Sequence, residues 1–263
     1  MIAPRPPHIV SGAVAAAAAV LLAGCNSEPT TTTESPSAPT VAAAGLSGTD
    51  PAACAHFAAQ PINPDAPLVP IVVDRTGSVR ELELSPALAP VLTQIQSTGA
   101  VIQTIGVNGS GVPPTVGAPI ALDPAPGKTS RNADQQRQAA LGCLRDWLHT
   151  PDTVPVGDNT DLLAALSATA RQAPHQIVVL SDGINTTGEL NLFTPPANPS
   201  STADQVRTSG IWTAATGVPV HWFHLAETTP PLSETHRGAV TEFWTTLLGA
   251  DLHLYTRTGT TGE

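Results

Sequence analysis

The sequence predicts an α/β fold: a doubly wound, mostly parallel sheet with helices on both faces. Two observations lead there. From residue 68 onward, short apolar runs of strand length recur without polar alternation, which implies burial on both faces. Between most of them lie longer stretches with apolar residues three and four apart, the spacing of a helix. Strands separated by helices of this length join by right-handed crossovers into a parallel sheet. A chain of 263 residues is long enough to bury a core without metals or staples. With aromatics at 3% against 21 Gly and 27 Pro, that core is expected from Val, Ile, Leu and Ala.

The first segment reads as an address. Residues 1–8 carry one basic side chain, Arg5, and 9–24 form an Ala-rich apolar run. That run is shorter than the roughly 20 residues a membrane-crossing helix needs, so residues 1–24 read as a secretory signal. It ends Leu22-Ala23-Gly24-Cys25, which resembles the bacterial lipobox. The resemblance implies that the Cys25 thiol is diacylated and that cleavage leaves Cys25 as the first mature residue, anchored to the outer face of the cytoplasmic membrane. An ordinary signal cut beside an incidental cysteine is the alternative. Residues 25–50, rich in Ser, Thr, Pro and Ala, cannot bury enough to offset their ordering entropy and read as a tether. Residues 51–263 form the domain. If Cys25 is acylated, Cys54 and Cys143 remain, an even pair in an oxidising compartment; a disulfide and two separate buried thiols both stay open.

Within the domain, 68–73 is an apolar central strand ending at Asp74. A helix follows over 86–97, with Pro86 in a permitted first-turn position and Leu88, Val91, Leu92 and Ile95 on one face. Segments 100–107 and 116–122 flank a Gly/Pro-rich turn and pair as a hairpin. A helix over 131–149 aligns Ala140, Cys143, Leu144 and Trp147. Asn159, Thr160 and Asp161 supply capping side chains for a helix carrying Leu162, Leu163, Leu166 and Ala170. The buried strand 176–181 stops at Asp182-Gly183, and a Pro-containing loop spans 184–201. A weaker helix over 203–216, a strand over 218–225, a helix over 238–248 and a short strand over 252–256 complete the pattern.

In such sheets ligands sit beyond the carboxyl ends of the strands, at the switch point. The residues there are Asp74-Arg75-Thr76-Gly77-Ser78, Gly157 through Asp161, and Asp182-Gly183. They offer hydroxyl and carboxylate oxygens, which suit Mg²⁺, Mn²⁺ or Ca²⁺ rather than zinc. In an extended segment residues two apart point the same way, so Asp74, Thr76 and Ser78 converge while Arg75 and Gly77 do not. These residues resemble the von Willebrand factor type A family and its metal-ion-dependent adhesion site, whose pattern is Asp-x-Ser-x-Ser, then a Thr, then an Asp. On that resemblance Asp74, Thr76, Ser78, Thr160 and Asp182 are the metal ligands, with Thr76 in place of the first serine. The likeness covers about 68–256 and implies a Rossmann-like fold, a Mg²⁺ site with an open coordination position, and a protein or peptide partner that offers an acidic side chain. Taken singly, Asp74 and Asp182-Gly183 are also ordinary turn residues, and Thr160 an ordinary helix cap.

Other classes are disfavoured. A formal net charge of −10 leaves no basic surface for a phosphate backbone, so nucleic acid is not an expected partner. No Gly-x-Ser-x-Gly elbow and no His-Glu-x-x-His pair occurs. Gly127-Lys128-Thr129 lacks the glycine of a phosphate loop, since Leu122 stands there. His221 and His224, three apart on a strand, face opposite sides and are poor joint ligands. The expectation is a non-enzymatic adhesion or scaffolding domain at the cell envelope. A metal-assisted phosphate or ester hydrolase and a structural domain with an empty site are the alternatives.

Overall fold

A computed structural model describes residues 51–74, 87–107, 109, 114–123, 133–149, 159–186, 190–212, 216–256 and 259–260. The signal, the tether, Cys25, Arg75, Thr76, Ser78 and Asp158 lie outside the described residues. Helix α1 (Pro51–Ala58) leads into β1 (Leu68–Val73), α2 (Leu88–Ser97) and β2 (Val101–Gly106). Two short strands, β3 (Thr115–Val116) and β4 (Ile120–Ala121), precede α3 (Ala133–His149) and α4 (Leu162–Ala170). Then come β5 (Ile177–Leu180), α5 (Pro199–Ser209), β6 (Val220–Phe223), α6 (Glu234–Leu248), β7 (Leu252–Thr256) and β8 (Gly259–Thr260).

One sheet runs in the order β3-β2-β1-β5-β6-β7-β8, with β4 also on β2. Strands β2, β1, β5, β6 and β7 are mutually parallel, and β3, β4 and β8 pair antiparallel at its flanks. The chain therefore steps from β1 to β2 on one side and continues through β5, β6 and β7 on the other. The switch point falls between β1 and β5.

Burial on both faces follows from the continuous apolar runs. Val72, Val179 and Trp222 pack with α4, α5 and α6, while Ile71, Val178, Leu180 and Phe223 pack with α1, α2 and α3. Helix α2 turns Leu88, Val91, Leu92 and Ile95 inward, as its spacing predicts. The expected hairpin forms, but its second strand is split. Four residues from Ile102 to Ile105 face five from Val116 to Ile120, which places a bulge between β3 and β4.

Several expectations need correction. Helix α1 was not foreseen, because PAACAHFA carries no apolar stripe and, among its described side chains, only Phe57 is deeply buried. Helix α5 starts at Pro199 rather than 203, since Asn198 caps it by accepting from Ser201 N–H. It ends at Ser209 because Gly210 adopts the left-handed conformation, φ 78°, that terminates helices. Helix α6 begins at Glu234, where Ser233 accepts from His236 N–H. The core is not purely aliphatic either. Trp222, Trp244, Phe223 and Phe243 are its largest fully buried side chains, and the few aromatics are concentrated on β6 and α6.

Cys54 on α1 and Cys143 on α3 are disulfide-bonded, with their Cα atoms 5.3 Å apart. Among the described residues no helix is long and apolar enough to cross a membrane.

Candidate functional site

Asp74 follows β1 directly. Its N–H donates to Leu180 O at 2.9 Å, so the pairing with β5 extends one residue past the strand. The side chain is 1% exposed, and its Oδ2 accepts from the Ser181 hydroxyl at 2.9 Å. Ser181 Oγ also accepts from Gly183 N–H at 3.0 Å, so one hydroxyl joins the first and third loops.

Asp182 is fully buried at the end of β5. Its Oδ1 accepts from Ile184 N–H at 2.8 Å, and its carbonyl accepts from Ala226 N–H at 2.8 Å. The chain turns at Gly183, φ 77°, where a Cβ would sit 2.5 Å from Leu225 Cδ1 and 3.0 Å from Trp244 Nε1. A residue with a side chain would be strained there.

Thr160 is 2% exposed just before α4. Its N–H donates to Thr186 Oγ1 at 2.7 Å, and its carbonyl accepts from Thr186 N–H at 2.9 Å. The helix cap is the next residue, since Asp161 Oδ1 accepts from Ala164 N–H at 3.2 Å. Asn185 reinforces the junction by accepting from Leu163 N–H at 3.0 Å and donating to Leu190 O at 2.6 Å.

Three loops distant in sequence thus share direct hydrogen bonds at the carboxyl edge of the sheet. Asp74 and Asp182 end the two strands that border the switch point. Thr76 and Ser78 complete the expected ligand set but lie outside the described residues. Two buried carboxylates on adjacent strand tips, with hydroxyl-bearing loops beside them, fit a hard cation in the chemistry of the donor set. Among the described residues no group of three or more His, Cys, Asp or Glu side chains is arranged to hold a metal. A metal here would depend on hydroxyl oxygens.

Sequence reasoning passed over Ser181, Asn185 and Thr186, which fasten the loops. Ser181 was legible in one respect. It is the register neighbour of Asp74 once β1 and β5 are paired in parallel. The strand expected over 218–225 ends at Phe223, so His224 lies past it on the rim beside Asp182. His224, 2% exposed, follows β6 at φ 71°, and Glu227 N–H donates to its carbonyl at 2.9 Å to close a turn. His224 Nδ1 lies 3.0 Å from Glu227 Oε2, and Nε2 is buried without a partner among the described residues. His221, by contrast, lies within β6, so the two histidines do not share a site.

In comparisons with known proteins, no family model matches this chain and no curated protein matches it significantly.

Proposed function

We propose that this chain is an exported, lipid-anchored von Willebrand factor type A domain that binds a protein or peptide through a divalent cation. The observation that carries the reading is the position of Asp74 and Asp182, buried at the tips of the two parallel strands that flank the switch point. The hydrogen bonds that tie Thr160 to the same edge support it. Asp74, Thr76, Ser78, Thr160 and Asp182 would hold the ion, with Mg²⁺ the first choice and Mn²⁺ or Ca²⁺ the alternatives. When bound, the cation supplies an electron-poor centre that accepts a carboxylate from the partner. The chain's own part is positioning. Ser181 holds the Asp74 carboxylate, and Ile184 N–H holds that of Asp182. At contact range the local charge of an ion outweighs the screened repulsion between an acidic domain and an acidic ligand.

Calorimetry of the full chain with Mg²⁺ and Mn²⁺ tests this. Single-site binding and a raised melting temperature are expected, both lost in Asp74→Ala. Chelator should release any captured envelope protein. Heats unaltered in Asp74→Ala overturn the assignment.

The His224–Glu227 pair favours a second reading, metal-assisted hydrolysis of a phosphate or ester. A carboxylate on Nδ1 leaves Nε2 as the proton acceptor of a general base. Turnover of generic phosphate or ester substrates that disappears in both His224→Gln and Asp74→Ala would replace the binding reading with this one.

A further inference from the structure

A second group of polar side chains lies on the sheet surface, away from the strand tips. His221 and His253 are register partners on the parallel strands β6 and β7, so both leave the same face at the same height. Their rings stack with centroids 5.1 Å apart and planes 19° apart. His221 is buried, and its Nδ1 lies 3.0 Å from the Tyr255 hydroxyl. Tyr255 stacks in turn on buried Phe223, centroids 4.5 Å apart, which holds the phenol in place. His253 is exposed. One imidazole is therefore held by its neighbours, and the other is open to solvent.

That combination has a chemical meaning. When His221 Nδ1–H donates to the Tyr255 oxygen, Nε2 carries the lone pair. A ring nitrogen oriented by a hydrogen bond through the other nitrogen is the usual arrangement of a metal-ligating histidine. A neighbouring imidazole that is open to solvent can bring a second nitrogen to the same ion.

We propose that His221 and His253 bind a borderline transition-metal ion, Zn²⁺, Cu²⁺ or Ni²⁺, with one nitrogen each, water completing the coordination and Tyr255 orienting His221. Imidazole selects these ions over Mg²⁺ and Ca²⁺, so the site is chemically distinct from the oxygen-rich strand tips. It is also separate in space. His221 stands three residues before His224 at the carboxyl rim, roughly 10 Å at the rise of a strand. The ion would bridge β6 to β7, fastening the last parallel strand of the sheet, and it would bind only when the two strands are in register.

Zn²⁺ titrated calorimetrically into the full chain, with excess Mg²⁺ present, tests the proposal. Saturable binding is expected, and Zn²⁺ should raise the melting temperature. Tyr255→Phe should weaken binding about tenfold, as loss of an orienting partner does, and His253→Ala should weaken it further. His56→Ala and His175→Ala should leave it unchanged. Imidazole nitrogen NMR should show Zn²⁺-dependent shifts at His221 and His253, a readout that does not require the buried His221 to be replaced. Absence of Zn²⁺ binding or unchanged affinity in His253→Ala overturns the site.

Discussion

Ser181 bears more of the candidate site than its size suggests, because one hydroxyl donates to a buried carboxylate and accepts from Gly183 N–H. Ser181→Ala removes both bonds, and hydrogen bonds to charged groups are worth about 1.5–3 kcal/mol. A loss of that order is expected in urea unfolding, as a lowered midpoint with an unchanged slope, together with weaker Mg²⁺ binding. His221 gives a different prediction. Burial, then the charge of His253, lowers its pKa from 6.5 to about 4. Among the described residues, the groups facing it are His253 and the Tyr255 hydroxyl. Between those values the unfolded chain binds a proton that the folded chain does not. The stabilisation from neutral His221 is thus complete above pH 6.5 and declines as pH falls toward 4. With part of the ring reached by solvent, the loss should be about 1–2 kcal/mol. Chelator-treated protein unfolded in urea across that range should show the decline, and His253→Ala should reduce it.

Elements differ in how plainly the sequence announces them, and the difference is physical. Strands β1 and β5 are continuous apolar runs because both their faces are covered, and α2 shows its stripe because only one face is. Helix α1 shows none, being Ala-rich and held through Phe57 and Cys54. The start of α5 was missed because its signal is a cap and not a stripe. Asn198 and Pro199 define it, and just Ala203 and Val206 are buried. Asn198→Ala is therefore expected to cost about 1 kcal/mol, measurable in thermal unfolding. The candidate site was legible where strand ends carry carboxylates, as at Asp74 and Asp182. Its bracing by Asn185 and Thr186 was not, since those bonds arise only when the α4 entry and the β5 exit are folded against each other.

At the scale of the whole molecule, two sulfur chemistries would set where the domain sits and how firmly it holds. The bond between Cys54 and Cys143, with a sequence separation of 89, ties α1 to the α3 face. Chain entropy assigns a loop of that length on the order of 4–5 kcal/mol, and native strain lowers such figures in practice. The other chemistry is the anchor. Acyl chains on Cys25 would each bury many methylenes at about 0.8 kcal/mol apiece, and two or more chains hold a protein on a bilayer where one does so only marginally. In a bacterial host, labelled palmitate should enter the wild-type chain and the protein should partition into the detergent phase of a cloud-point separation. Cys25→Ser should abolish both without altering the melting temperature of the domain, whereas Cys54→Ser should lower the melting temperature and leave partitioning unchanged. Detergent partitioning of Cys25→Ser equal to wild type would remove the anchor, and with it the envelope location on which the adhesion reading depends.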